Sequence, residues 1–346
     1  MKAVVYQGIN DLRLEDVPKP YIESPTDALI KVTTSAICAS DIHIINEGGQ
    51  EPGKTIGHEY CGVIVDAGDQ VRHFKKGDRV VGQPFFNCGH CLFCQQRQQT
   101  LCENGGLLGA FGNQGVQAEY ARIPRADNTL RKIPDGLPDE KVIFTGDILS
   151  TGLTGVLRAH VGLGDTVAVF GSGPVGLCAV ACAHLFGASL IIAVDIQDYR
   201  LDVARRLGAM TINAANEEPV AKVRELTGGR GVDAGIEAAG FESTIRTCLR
   251  STRRGGRVSI LGSVTQPTPF DLSERFFDMF TLTIGLGDLN YVEELIRLIH
   301  RGKLDLRLLI THTLPLSDAL RGYEIFEKKL EGCIKVILKH ECSESQ

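Results

Sequence analysis

Cys88, Cys91, Cys94 and Cys102 form a C-x2-C-x2-C-x7-C run on a Gly/Asn/Gln-rich stretch. Four thiolates so spaced can surround one zinc ion tetrahedrally, and a site closed in this way is structural. Upstream, Cys38 and Gly57-His58-Glu59 supply a thiolate, an imidazole and a carboxylate that the four-cysteine cluster does not need. This second set can hold zinc with one position open to a substrate oxygen, which is what a catalytic site requires. Disulfides among the four clustered cysteines are disfavoured by the two-residue spacings. His90, inside that loop, is expected to face solvent.

A third group has nucleotide chemistry. Gly171-Ser172-Gly173-Pro174-Val175-Gly176 follows the apolar run Thr166–Phe170, and Asp195 ends the next apolar run, nineteen residues past the last glycine. A lone G-x-G-x-x-G among 39 glycines says little. In this context Gly171 permits a tight turn, Gly173 lets the backbone approach a pyrophosphate, and Gly176 lets helix and strand pack closely. Pro174 and Val175 open the helix whose N-terminus attracts the negative charge. Asp195 can accept both ribose hydroxyls of NAD and would repel the 2′-phosphate of NADP; the plainer alternative is that it only caps the following helix. Arg200 either flanks the adenosine or is a solvated helix arginine. Zinc together with a dinucleotide means hydride transfer.

The elements that must position these residues fall into two styles. Up to about residue 148 the chain is irregular and glycine-punctuated, with short β-branched runs such as Ala28–Val32 and Val63–Val65, and reads as a mainly β domain carrying both zinc sites. From 149 to 286 apolar strands alternate with helices: Thr166–Phe170, helix Val175–Phe186, Leu190–Asp195, helix Asp198–Leu207, Val232–Glu237, Arg257–Leu261 and Leu282–Leu286. That alternation predicts a doubly wound parallel sheet of about six strands. Residues 287–346, with helices Tyr291–His300 and Ser317–Lys329 and a strand Ile334–Leu338, are expected to complete the first domain. The tail from Glu341 to Gln346 reads as disordered. The fold class is α/β.

At 346 residues the chain exceeds the size at which single cores stop growing. A net charge of −5 gives no sign of nucleic-acid binding, and no apolar stretch is long enough to span a membrane. The opening Met1-Lys2-Ala3-Val4-Val5-Tyr6 enters a strand directly and lacks a signal peptide's apolar region, so the expected location is cytoplasmic. Eleven cysteines there favour metal or thiol chemistry over disulfides. Cys61, Cys178, Cys182, Cys248, Cys333 and Cys342 read as small buried hydrophobes.

Gly57-His58-Glu59-Tyr60-Cys61-Gly62 followed by Gly68 and Val71, the segment Cys38-Ala39-Ser40-Asp41-Ile42-His43, and the glycine turn together resemble the medium-chain, zinc-dependent alcohol dehydrogenases along nearly the whole chain. The resemblance implies a GroES-like catalytic domain and a Rossmann coenzyme domain inserted before a C-terminal return. It implies a catalytic zinc on Cys38 and His58, a structural zinc on the four cysteines, and NAD. Where the best-known members have a second cysteine ligand, this chain has Asp147, ahead of Ser150-Thr151-Gly152, as in the family's secondary-alcohol and formaldehyde-handling branches. The resemblance further implies Ser40 and His43 as a proton relay and Thr151 as a nicotinamide contact. Leu261-Gly262-Ser263, at a strand end, is expected to touch the nucleotide, and Glu59 to stand behind the metal or enter as a ligand. The expected activity is hydride transfer between a small or medium alcohol, secondary alcohols included, and NAD, giving a ketone or aldehyde. Polyols, amino-acid alcohols and a formaldehyde-type dismutase with tightly held NAD stay open, as does a non-catalytic zinc and nucleotide-binding protein. The only partners expected are the small-molecule substrate and further copies of the chain, a tetramer favoured over a dimer.

Overall fold

The computed structural model describes residues 1–269 and 272–340, so the expectations for Cys342 and for the tail Glu341–Gln346 lie outside the described residues. The chain forms two compact units, Met1–Asp147 with the chain from Asp288 onward, and Ile148–Gly287. Among the described residues no helix is long and apolar enough to cross a membrane.

In the second unit six parallel strands lie in the order Met210–Asn213, Leu190–Asp195, Thr166–Phe170, Val232–Glu237, Thr252–Ile260, Thr281–Ile284. Strands such as Thr166–Phe170 are apolar almost throughout because both faces of such a sheet are covered. The order reverses between Thr166–Phe170 and Val232–Glu237, and the crevice beyond the carboxyl ends at such a switch point is where ligands bind in this architecture. Thr252–Ile260 begins five residues earlier than its apolar pattern, since Thr252 already pairs with Val232 and Arg253-Arg254-Gly255-Gly256 bulge out before the ladder resumes at Arg257 opposite Ala234. The edge strand ends at Ile284, two residues before the expected Leu286.

In the first unit the main sheet has the order Leu130–Lys132, Arg79–Gly82, Glu59–Ala67, Ala28–Ala36, Lys335–Lys339, Ile310–Pro315, with Tyr120–Ile123 also paired to Ala28–Ala36. Ala36 lies opposite Glu59 on one side and Ile337 on the other. That register brings Glu59, Cys38 two residues beyond Ala36, and Lys335 two residues before Ile337 to one end of the sheet. The helix Ala39–Glu47 starts at once after Cys38, where Asp41 Oδ2 accepts a hydrogen bond from Cys38 N at 3.0 Å, and it stops at Gly48 in the left-handed region. The helix expected over Ser317–Lys329 is shorter, Ala319–Glu327, with a 3-10 turn Leu316–Asp318 before it.

His340 closes the sheet next to Ser35, its Nε2 2.9 Å from Ser35 Oγ. Burial pushes its imidazole down to about 4, whereas an unfolded histidine titrates near 6.5. Between those values the unfolded chain takes up a proton that the native one does not, so stability falls as pH drops through that window. The expected loss from this group is on the order of 2 kcal/mol by about pH 5. Urea midpoints at neutral and mildly acid pH should therefore differ more for wild type than for His340→Gln; equal pH dependence of the two contradicts this.

Candidate metal centres and nucleotide site

The structure brings Cys38, His58, Glu59 and Asp147 together, with one donor atom from each inside a cluster no wider than 4.8 Å. Cys38 Sγ lies 3.6 Å from Asp147 Oδ2, and His58 Nε2 lies 3.3 Å from the same oxygen. Zinc bonds of about 2.0–2.3 Å at tetrahedral angles require donor separations of about 3.3–3.7 Å, so the set fits a zinc ion. The other imidazole nitrogen, Nδ1, is 2.9 Å from Asp41 Oδ1, and that carboxylate is fully buried. A carboxylate behind a histidine fixes the ring and its tautomer, which a metal-binding imidazole needs. Burial opposes charge on His58, but Asp41 and then Asp147 outweigh it and hold its pKa well above the ordinary value. Burial alone would raise the Asp147 carboxyl; His58 holds it below the usual range.

Ser40 Oγ is 3.1 Å from Cys38 Sγ and 3.2 Å from His58 Nε2, at the donors themselves. His43 is on the same helix, but its side chain is 45% exposed and its Nδ1 is 3.4 Å from Glu47 Oε1. Glu59 Oε1 accepts a hydrogen bond from Lys335 Nζ at 2.6 Å, both side chains fully buried, and Glu59 Oε2 has no hydrogen-bond partner. Burial lifts the Glu59 carboxyl above its ordinary value, and Lys335 restrains the rise.

Asp41 and Lys335 are site residues that motif reading passed over. Both carried a signal. Asp41 stands three residues after Cys38, where a carboxylate can bond back to the first residue of a helix. Lys335 is a lone charge inside Ile334-Lys335-Val336-Ile337-Leu338, and a charge buried in a strand demands a partner.

In the four-cysteine cluster the sulfurs of Cys91 and Cys94 are 3.5 Å apart, and those of Cys88 and Cys94, and of Cys91 and Cys102, 3.9 Å apart. A tetrahedron with zinc–sulfur bonds of about 2.3 Å has edges of about 3.8 Å, so this set fits zinc as well. Backbone N–H groups, that of His90 first and then that of Cys91, pull the Cys88 thiol down to about 6. His90 is exposed and its Nδ1 lies 2.8 Å from Cys88 O.

In the second unit Gly171 turns at φ +92, and a Cβ at Gly176 would fall 1.8 Å from Gly171 O, so only glycine fits there. Gly173 caps the helix Pro174–Leu185, with Pro174 and Val175 in its first turn. Asp195 Oδ2 accepts from Ser172 N at 2.7 Å, while Oδ1 accepts from Ile196 N at 2.8 Å and Gln197 N at 2.9 Å. Asp195 therefore both pins the glycine turn and caps the chain entering the next helix. Arg200 Nη1 stands 3.9 Å from Asp195 Oδ2. Thr151 lies in the helix Ile148–Arg158, and Leu261-Gly262-Ser263 follows the strand Thr252–Ile260 and packs on Gly240.

Residues 24–135 match the family model for the alcohol dehydrogenase GroES-like domain, and residues 174–301 match that for zinc-binding dehydrogenase. An alcohol dehydrogenase from Cupriavidus necator is 38% identical, with 98% of each chain covered. The solved structure of alcohol dehydrogenase TADH from Thermus sp. ATN1 superposes with a TM-score of 0.94 at 40% identity, covering 99% of this chain and 100% of that one. A putative zinc-binding dehydrogenase from Sinorhizobium meliloti, solved bound to NADP, gives 0.88 at 28% identity, with 98% of each chain covered. With a GroES-like β unit, a doubly wound coenzyme-type unit and relatives matched end to end, the chain belongs to the medium-chain, zinc-dependent alcohol dehydrogenase family.

Proposed function

We propose that the protein is an NAD-dependent zinc alcohol dehydrogenase that oxidises small or medium alcohols, secondary alcohols included, to ketones or aldehydes. The observation that carries this reading is the trio Cys38, His58 and Asp147, whose donor spacings suit one zinc ion beside a serine hydroxyl. These three would hold the catalytic zinc, with Glu59 as a reserve carboxylate, and Cys88, Cys91, Cys94 and Cys102 a structural one. When bound, the catalytic zinc supplies a Lewis acid that lowers an alcohol's pKa, much as it takes water from ~15.7 to ~7. Asp41 holds the His58 ring in place. Ser40 Oγ sits beside the donor atoms, where it can take the alcohol's proton and pass it on. His43 is the outlet to solvent, its exposed ring backed by Glu47.

Gly171, Gly173 and Gly176 with the helix at Pro174 and Val175 would receive the pyrophosphate. Asp195 with Arg200 would receive the adenosine, and Thr151, Leu261, Gly262 and Ser263 the nicotinamide side. NAD supplies the hydride acceptor. The largely buried Asp195–Arg200 pair supports NAD over NADP, because Arg200 already faces a carboxylate and leaves a 2′-phosphate opposite negative charge. Asp195→Gly should narrow or reverse the preference. The ratio of kcat/KM for the two coenzymes measures this independently of how much variant is folded; a wild-type protein that turns over NADP faster than NAD contradicts the assignment.

The protein is read as cytoplasmic and homo-oligomeric, a tetramer before a dimer. Phe276, Phe277, Met279, Ile284 and Leu286 are all exposed, Phe277 at 82% and Met279 at 87%, on and beside the edge strand Thr281–Ile284. So many large apolar side chains on one open sheet edge support burial against further copies. A screen of NAD reduction against primary, secondary and polyol alcohols, with zinc analysis of the same sample, tests the proposal. Secondary alcohols should be turned over; failure with every alcohol at full zinc content would overturn it.

A further inference from the structure

Glu237 ends the strand Val232–Glu237 fully buried, and neither metal set nor the glycine turn uses it. Its Oε1 accepts hydrogen bonds from Ala239 N and Gly240 N, each at 2.9 Å, and from Thr244 Oγ1 at 2.7 Å. Oε2 accepts from Gly240 N at 3.1 Å. The backbone carbonyl of the same residue accepts from Leu261 N at 2.8 Å and from Gly262 N at 3.2 Å. One residue thus ties down two loops, 238–241 and 261–263. Their fit is close: a Cβ at Gly262 would lie 2.1 Å from Gly240 N and 2.7 Å from Glu237 Oε2. The first loop also touches the glycine turn, since a Cβ at Gly171 would lie 2.9 Å from Ala239 Cβ.

These contacts sit at the point where the strand order reverses. Dinucleotides lie across such a point, one mononucleotide on each half of the sheet. Asp195 belongs to the half that takes the adenosine, so the strands ending at Glu237 and Ile260 belong to the half that takes the nicotinamide nucleotide. A buried carboxylate is costly unless donors satisfy it, and this one is met by two amides and a hydroxyl. Without it, the amides of Ala239 and Gly240 lose the acceptor that shapes their loop.

We infer that Glu237 is a positioning residue for the coenzyme: it sets the spacing of loops 238–241 and 261–263 that the nicotinamide half requires, without touching the coenzyme itself. The inference rests on the reading of the second unit as a coenzyme site. The test uses the full-length, zinc-loaded protein and direct binding of NADH and of AMP, which carries only the adenosine half. Glu237→Gln should weaken NADH by about tenfold or more, the scale of losing hydrogen bonds to a charged group, with AMP unchanged. Hydrogen exchange at Ala239, Gly240 and Leu261 should speed up alongside. Thr244→Val, a milder change on the helix side, should weaken NADH by about fivefold with the same sparing of AMP, and it serves if the Gln variant does not fold. Unchanged NADH affinity in a folded variant, or equal weakening of NADH and AMP, overturns the inference. A wild-type protein that binds neither ligand overturns the coenzyme reading, and the inference with it.

Discussion

Asp147→Ala should leave a folded protein with the four-cysteine zinc intact, little zinc at Cys38 and His58, and kcat/KM for alcohols lower by at least about a thousandfold. The reason is the donor count. Cys38 Sγ and His58 Nε2 both lie against Asp147 Oδ2, at 3.6 and 3.3 Å, and its removal leaves two ligands where zinc needs three plus an open position. Asp147→Cys restores a third donor and should retain zinc, but a softer donor set changes the Lewis acidity, so activity should fall even at full occupancy. Cys91→Ser is the complement, losing the other zinc together with stability. Zinc analysis and steady-state kinetics on the same samples check all three. Near-normal kcat with both zinc ions in Asp147→Ala would make Glu59 the third ligand.

Lys335→Met should destabilise the first unit by about 3–5 kcal/mol, because it strands the Glu59 carboxylate in a fully buried place. Glu59→Gln in the same chain should restore most of that loss, since a buried pair replaced whole costs far less than one broken in half. The two single changes and the double, compared by urea denaturation, give the coupling directly. Lys335→Met should also lower activity, because Glu59, freed of its cation, stands within 4.8 Å of the zinc donors and competes for the open position. A single variant as stable as wild type contradicts the burial argument.

Local chemistry was legible in the chain and long-range partnership was not. The strands Thr166–Phe170 and Leu190–Asp195 run over the same residues as their apolar patterns, because a strand buried on both faces writes itself as a nearly unbroken hydrophobic run. Thr252–Arg257 carries no such run, since Arg253-Arg254-Gly255-Gly256 form an irregularity between the paired residues Thr252 and Arg257. Cys38, His58 and Glu59 were readable as one metal set from their chemistry, but Asp147 joined them only through motif resemblance, as 109 residues separate it from Cys38. Lys335 meets Glu59 from 276 residues away, and Tyr323 donates to Gln117 from 206 residues away. The first pairing follows from the antiparallel return of the C-terminal strand beside Ala28–Ala36, which no local pattern announces. Asp195 had two readings in the chain, ribose acceptor or helix cap, and neither foresaw that its carboxylate accepts from Ser172 N in the glycine turn as well as from Ile196 N and Gln197 N ahead of the next helix.

The central claim is that a zinc ion on Cys38, His58 and Asp147 is what lets this chain pass a hydride from an alcohol to NAD. The most direct measurement follows NADH formation from a secondary alcohol while zinc is withdrawn by a chelator and then returned, with bound zinc counted at each step. Starting from about two zinc ions per chain, the account predicts that activity vanishes with the first, more open zinc while the fold persists, and returns in proportion as that zinc is restored. Undiminished turnover with the Cys38 site empty of metal would contradict it.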